Sequence, residues 1–380
     1  MSNKIKNILV TGAGGFIGGH LIKRLLDDGY NVTGADIKPL DNWFQIFEKA
    51  KNVSIDLNDY NNCLSVTKGI DGIYNFACNM GGMGFIENNK AECMLSVLIN
   101  TNLLKASKIN NVSRFLYSSS ACVYNNDLQQ ETFIDGLKEH QAYPANPEDG
   151  YGWEKLFSER MCRHFYEDFG IETRVARYHN VYGPFGAFDG GREKAPAGIA
   201  RKIINAKINN QDSIEVWGDG EQTRSFLYID DCIEGTLKLF NSNYRDPLNI
   251  GSDEQVTINQ LIDLTEKISG IKVKRNYLLH KPKGVRGRSS NNEKLKEVLN
   301  WNYTIKLEEG MRRTYEWIYN NLTKTNPVNL QIKKLEAELG NLKVQNADYS
   351  QIVGELSDKI KQYENKYGTV FTRGSSNNTK

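Results

Sequence analysis

Tyr151 and Lys155 stand in the run Tyr151-Gly-Trp-Glu-Lys155. On a helix that spacing is one turn, so both side chains share a face. A phenol is a poor base at neutral pH, with an ordinary pKa of about 10. A neighbouring ammonium favours the phenolate and is expected to lower that value. Such a tyrosine can take the proton of an alcohol while the hydrogen on the same carbon leaves to a nicotinamide cofactor. Upstream, residues 114–118 read as a strand that runs into Ser118-Ser-Ser-Ala-Cys122-Val-Tyr124. Ser120, at that strand end, can donate a hydrogen bond to the reacting oxygen. A second group, near the N-terminus, is suited to binding. Gly12, Gly15 and Gly18 are spaced by threes between a strand and a helix, with Phe16 and Ile17 opening the helix. Glycine is needed where a Cβ would obstruct the bend or an approaching diphosphate, and the free N–H groups of the helix start then face the phosphates. Asp36 ends the next strand, 18 residues past Gly18. An acid there accepts from ribose hydroxyls and repels a 2′-phosphate, which selects NAD over NADP.

These groups need a scaffold that brings strand ends and helix starts together. Strand candidates at 5–10, 31–36, 53–56, 72–76, 114–118 and 172–177 alternate with helical stretches, the first at 17–28. That alternation predicts an α/β fold with a doubly wound, Rossmann-type parallel sheet in residues 1–181. From Tyr182 the spacing becomes irregular, with short strands at 214–217 and 246–250 and helices at 230–239, 258–267 and 307–320. This predicts a smaller substrate lobe over 182–326, with some elements interleaved between the two lobes. After Pro327 the pattern is heptad. Ile332, Leu339, Asn346, Val353, Ile360 and Tyr367 hold one register, and Leu335, Leu342, Tyr349, Leu356 and Tyr363 the other. A parallel two-stranded coiled coil over 327–367 is expected, followed by a disordered 368–380.

Composition narrows the classes further. With 48 Lys and Arg against 46 Asp and Glu, the net charge of +2 argues against a nucleic-acid coat or a polybasic membrane anchor. No window approaches 18 consecutive apolar residues, so no membrane span or signal peptide is expected. The six cysteines include no CxxC pair, and the five histidines have no ligand spacing. Free thiols in a reducing cytoplasm and no metal site are therefore expected.

Taken together, the opening GxxGxxG, Asp36, Asp56-Leu57, Asn75-Phe-Ala77, Ser120, Tyr151 with Lys155, and Arg177-Tyr-His-Asn180-Val-Tyr-Gly-Pro184 resemble the extended short-chain dehydrogenase/reductase superfamily over roughly residues 5–322. Most of its members act on nucleoside-diphosphate sugars. The resemblance implies that Asp56 and Leu57 flank the adenine and that Ala77 lines the dinucleotide groove. Five further segments narrow the match: Met80-Gly-Gly-Met-Gly-Phe85, Ser120-Ala-Cys122, Gly190-Gly-Arg-Glu-Lys194-Ala-Pro196, Trp217-Gly-Asp-Gly-Glu-Gln222-Thr-Arg224-Ser-Phe226 and Gly284-Val-Arg-Gly-Arg288. These are similar to the GDP-mannose 3,5-epimerase family. That resemblance implies NAD as cofactor and GDP-mannose as substrate. It implies Cys122 and Lys194 as the acid/base pair, acting with Tyr151, Lys155 and Ser120. It also implies substrate contacts from Gly81, Ser120, Ala121, Cys122, Asn180, Glu193, Lys194, Ala195, Lys202, Gln222, Thr223, Arg224 and Arg288. A homodimer through paired helices is implied too, to which the coiled coil would add contacts. The alternatives are another nucleotide-sugar epimerase or dehydratase of the superfamily, and a non-catalytic sugar-nucleotide-binding scaffold. Separation of products from several GDP- and UDP-sugars discriminates them.

Overall fold

Each central strand is apolar on both sides, as a sheet covered by helices on two faces requires. In β1 (Asn7–Thr11), Ile8, Leu9 and Val10 are wholly buried. The computed structural model describes residues 5–323 and 350–367. In chain order its elements begin β1, α1 (Phe16–Asp27), β2 (Asn31–Asp36), β3 (Lys51–Ser54), α2 (Tyr60–Val66) and β4 (Gly72–Asn75). Then come α3 (Met83–Asn88), α4 (Lys90–Met94), α5 (Val97–Ile109), β5 (Arg114–Ser120), α6 (Gly150–Phe169), β6 (Glu172–Tyr178) and β7 (Val181–Tyr182). The rest of the globular part holds α7 (Ala195–Ile208), β8 (Ser213–Trp217), β9 (Thr223–Ser225), β10 (Leu227–Tyr228), α8 (Ile229–Asn241), β11 (Leu248–Ile250) and β12 (Gln255–Thr257). It closes with α9 (Ile258–Ser269), β13 (Lys274–Leu278), β14 (Gly287–Arg288), α10 (Glu293–Leu299) and α11 (Leu307–Thr323).

The seven-stranded sheet runs β11-β6-β5-β4-β1-β2-β3, all parallel. Chain order reverses beside β1, which pairs β2 on one side and β4 on the other. The carboxyl ends of strands at such a switch point leave a crevice for a ligand. The glycine turn follows β1 and Ala77 follows β4, so both reach that crevice. The strand predicted at 53–56 lies earlier, at Lys51–Ser54, because its pairing with β2 ends at Asp36 against Ser54. The strand predicted at 114–118 extends to Ser120, because pairing with β6 continues to Ser120 against Tyr178.

β11, which lies in the range expected for the second lobe, extends the main sheet beside β6. The other short strands form β12-β9-β14, β13-β8 and β10-β7. The first predicted lobe and residues 182–315 of the second fall within one compact unit, Met1–Tyr315, while the end of the predicted second lobe belongs to the second unit, Glu316–Lys380. Of the heptad region, 327–349 lies outside the described residues, as does 368–380. Within the described part, Ser350–Tyr367 forms a helix on which Leu356, Ile360 and Tyr363 are half-buried and Asp358, Lys359 and Lys361 exposed. No helix among the described residues is long and apolar enough to cross a membrane.

Candidate active site

The glycine turn is shaped by close approach. Gly12 has φ +67°, and a Cβ there would lie 2.7 Å from the backbone of Phe76. A Cβ on Gly18 would meet the carbonyl oxygen of Gly12 at 2.3 Å, so only glycine lets α1 pack this tightly on β1. Gly15 caps α1 without a side-chain hydrogen bond, and the first turn carries no acid. The opening N–H groups of a helix have no intrahelical acceptor, so this end, with Phe16 and Ile17, suits a diphosphate. Asp36 accepts from the N–H of Gly14 at 3.0 Å and of Lys38 at 3.0 Å, which aims its carboxylate along the edge of the turn. The N–H of Ala77 donates to Thr11 Oγ1 and Asn75 Oδ1, each at 3.3 Å, fixing the opposite wall. These residues fit a dinucleotide. Asp56 is exposed just past β3 and accepts from Asn58. Leu57 departs from its expected place, since its side chain is 3% exposed inside the core with Ile73 and Leu103. It can offer an adenine only backbone.

The reaction side is built by β5 and α6. Tyr117 donates to Glu154 at 3.0 Å, and Ser119 donates to Glu159 at 2.5 Å. Arg177 on β6 clasps Glu159 through Nη2 at 2.6 Å, with both side chains buried. Removing one partner of such a pair costs about 3–5 kcal/mol, so α6 is held firmly to the sheet. Asp149 caps α6 by accepting from Gly152 N–H at 3.0 Å. A Cβ on Gly152 would lie 2.3 Å from the carbonyl oxygen of Cys122. That glycine therefore allows Tyr151, beside it, to meet the turn after β5. Ser120 accepts from the N–H of Cys122 at 3.2 Å, and its hydroxyl acts to stabilise the phenolate of Tyr151. Cys122 and Tyr151 pack together with Ile86 and Cys93, while Cys78, Met80 and Phe85 line the cluster.

The expected lowering of the Tyr151 pKa does not occur. Burial raises it well above the usual phenol value, with Cys78, Cys122 and Glu154 adding to the rise and Ser120 opposing it. Lys155 Nζ sits 5.5 Å from the Tyr151 ring centre and 3.6 Å from Glu154. Burial works against the charge of Lys155, but Cys78 and Glu154 outweigh it and hold its pKa above the ordinary value. The ammonium is thus shared with an acid and a thiol in a dry pocket, where a phenol keeps its proton. A cation entering beside the ring would favour the phenolate.

Lys194 precedes the first turn of α7 and is half-buried; burial lowers its pKa, while Cys122, Cys232 and Cys78 oppose the fall. Arg288 donates to Cys122 Sγ at 3.3 Å and to Gln129 at 2.6 Å, and meets Glu148 at 3.5 Å. Arg224 and Arg288 are register partners on the parallel pair β9 and β14. Burial, and then Arg288, lower the Arg224 pKa to about 10. Two like charges side by side favour an anion between them, and guanidinium forks match phosphate.

The remaining candidates divide. Gln222 donates to Trp217 O at 3.0 Å and keeps a buried Oε1 without a partner. Asn180 adopts φ +44° and donates to Ser225 O at 3.0 Å. Gly81 is buried against Phe85, where a Cβ would lie 2.7 Å from the ring's own Cβ. Glu193 is engaged by Arg201 at 3.0 Å and by Gly191 N–H at 2.7 Å, next to Ala195. Lys202 donates to Glu215 O at 2.7 Å. The structure does not turn the Thr223 or Ala121 side chains to the site. The Thr223 hydroxyl, wholly buried, donates to Thr132 O and accepts from Gln255 at 2.8 Å. The Ala121 methyl packs with Val123, Leu137 and Leu156. Both can contribute through backbone alone.

Sequence reasoning missed Cys78 and Glu148. Cys78 hydrogen-bonds Lys155, and burial pushes its pKa up. The available signal was its place directly after Ala77 at a strand end. Glu148 had none, because its partner Arg288 lies 140 residues away. All six cysteines are unpaired. No cluster among the described residues could hold a metal.

The model of a family described as "NAD dependent epimerase/dehydratase family" matches residues 8–251. A GDP-mannose 3,5-epimerase 1 of Oryza sativa subsp. japonica is 45% identical over 324 residues, covering 85% of this chain and 84% of that protein. A GDP-mannose 3,5-epimerase of Arabidopsis thaliana is 45% identical over 318 residues, with 83% of each covered. Among solved structures, a UDP-glucose 4-epimerase of Thermotoga maritima with UDP-glucose superposes with a TM-score of 0.75 at 25% identity, over 83% of this chain and 99% of that one. A UDP-glucuronic acid 4-epimerase of Bacillus cereus, bound to its sugar nucleotide and NAD, gives 0.68 at 27% identity over 83% and 99%.

Proposed function

Since the chain belongs to the NAD dependent epimerase/dehydratase family, we propose that it inverts carbons 3 and 5 of GDP-mannose through a transient 4-keto sugar, giving GDP-L-galactose, with GDP-L-gulose as a second product. The observation that carries this reading is a thiol packed on the tyrosine, with an amine in electrostatic reach of that thiol. Cys122 packs on Tyr151, and Lys194 lies within electrostatic reach of Cys122. The 45% identity to proteins named for this reaction supports the sugar.

The residues divide the chemistry as follows. Gly12, Gly15, Gly18, Asp36 and Ala77 hold NAD. When bound, it supplies the two-electron acceptor for carbon 4 and returns those electrons at the end. Tyr151 takes the proton from the carbon-4 hydroxyl, with Ser120 hydrogen-bonded to the same oxygen. Once carbon 4 is a ketone, the C–H bonds at carbons 3 and 5 lie α to a carbonyl and become acidic. Inversion requires removal of a proton from one face of the ring and delivery to the other. Cys122 and Lys194 serve the two faces. The burial that lowers the Lys194 pKa makes its ammonium a readier proton donor, so that Cys122 can take a proton from one face while Lys194 delivers one to the other. Arg288, donating to Sγ, holds the Cys122 side chain in place. Arg224 and Gln222, beyond it, would grip the nucleotide end.

With no net redox change, the cofactor should not be consumed. Incubated with GDP-mannose and no added dinucleotide, the purified protein is expected to give epimerised GDP-sugars while its bound NAD stays constant. A requirement for stoichiometric NADH or NADPH would sink this function, as would turnover confined to UDP-sugars.

We further propose a homodimer through α4–α6. Met94, Leu98, Trp153 and Phe157 are all exposed on these neighbouring helices, with Phe157 at 58%, and so is Leu95 between the first two helices. So many large apolar side chains on one face fit an isologous interface. Leu98→Asp is expected to shift sedimentation to the monomer; an unchanged dimer would exclude this face. The heptad tail would add contacts between the same two chains. Six unpaired thiols support a cytoplasmic location.

A further inference from the structure

Residues 183–194 cross the mouth of the dinucleotide groove from one wall to the other. At the start, His20 of α1 donates through Nε2 to Pro184 O at 2.9 Å, and the rings of His20 and Phe185 meet edge-on at 5.8 Å. A Cβ built on Gly186 would lie 3.3 Å from the ring of Phe16, the first residue of α1. At the far end the segment lands on the loop after Ala77. Gly82 N–H donates to Arg192 O at 3.2 Å. Arg192 Nη1 donates to Asn79 Oδ1 at 3.1 Å and Met80 O at 2.9 Å, and the guanidinium lies 3.8 Å from the Phe85 ring centre. The corner between is set by Gly190 and Gly191, at φ +86° and +83°. Arg201 ties it down, donating to Phe188 O at 2.7 Å and pairing Asp189 at 3.5 Å and Glu193 at 3.0 Å.

Lys38 approaches the same groove from the opposite wall. Its Nζ donates to Gly14 O, inside the glycine turn, at 3.2 Å, and lies 4.8 Å from the Phe44 ring centre. Burial destabilises this ammonium; Asp36 offsets that, and the charge of Arg192 adds to it. The two cations therefore come from different loops, Lys38 held at the glycine turn and Arg192 at the loop after Ala77. Each Asp36 oxygen already accepts a backbone N–H, from Gly14 or Lys38. An anion at the helix start relieves the repulsion and takes charge-assisted hydrogen bonds from both.

We propose that Arg192 and Lys38 clamp the diphosphate of the bound dinucleotide, so that the strap 183–194 retains the cofactor while its last residue, Lys194, faces the reaction centre. The inference rests on the family's use of NAD and not on the identity of the sugar. It gives one segment two tasks, cofactor retention and presentation of an acid/base group. A strap of this kind suits an enzyme that needs the same dinucleotide at both ends of each turnover.

The test measures NAD release from the full-length protein without sugar, by dilution and filtration. Arg192→Gln should release NAD about tenfold faster, the scale of one charged hydrogen bond. Lys38→Gln should act in the same direction, and Arg192→Lys should recover part of the loss. Release from the wild type should quicken with ionic strength, and Arg192→Gln should flatten that dependence. Wild-type release from Arg192→Gln would overturn the clamp. So would faster release with the salt dependence unchanged, since that reports lost packing. A protein that holds NAD in this way yet leaves GDP-mannose untouched would fail the proposed reaction and keep the clamp.

Discussion

Replacing Cys122 with serine should stop inversion while leaving oxidation at carbon 4 intact. A hydroxyl in place of the thiol can still accept from Arg288, whose guanidinium is also held by Gln129 and Glu148, so the local fold survives. What is lost is the thiol, a far stronger acid by nature than the hydroxyl that replaces it. A cysteine thiol has an ordinary pKa of about 8.5, and an aliphatic hydroxyl does not titrate in any accessible range. Entry of solvent deuterium into carbons 3 and 5 of GDP-mannose should fall at least about 100-fold, the lower end for a positioned acid/base group. Transient reduction of the bound cofactor should persist. Undiminished deuterium entry would remove Cys122 from the mechanism.

Tyr151→Phe should block the earlier step and with it everything downstream. The ring is retained, so packing against Cys122, Ile86 and Cys93 is preserved. Ser120 loses its hydroxyl partner, and no group remains to take the carbon-4 proton. Turnover should drop by about 1,000-fold. Neither reduced cofactor nor deuterium exchange should appear, and the NAD content should be unchanged. Exchange without turnover in this variant would show that Tyr151 acts after the ketone forms. The two substitutions thus separate oxidation from inversion by pattern as well as by size.

Burial of Tyr151 also predicts the sign of its titration. With its pKa held well above the phenol value, it is protonated throughout the neutral range. Only a favourable charge in the groove makes it a base. Lys194 moves the other way, towards neutrality, for the same reason applied to a cation.

Much of this arrangement was legible in residue spacing. The glycine turn, Asp36 and the Tyr151–Lys155 face depend on interactions within a few residues, and local rules describe those well. The order of strands followed from alternating apolar runs. Strand ends were less legible: β5 reaches Ser120 because β6 pairs with it there, and nothing within β5 announces that partner. Leu57 and Thr223 were placed at ligands by resemblance, which does not say whether side chain or backbone makes the contact. Burial against Leu103 in one case, and hydrogen bonds to Thr132 and Gln255 in the other, turn them inward.

By itself, then, the sequence determined the βαβ start, the doubly wound sheet, the glycine turn and the shared helix face of Tyr151 and Lys155. These rest on helical and strand periodicity and on where a chain tolerates only glycine. The tertiary structure alone decided which charges and thiols meet. Arg288 reaches Cys122 across 166 residues, Arg192 lands on the loop after Ala77, and Cys78 and Glu154 both act on the charge of Lys155. It also decided the direction of each pKa shift. Those depend on how much water is excluded and which charge lies a few ångströms away, and both are properties of the packed chain that no local spacing encodes.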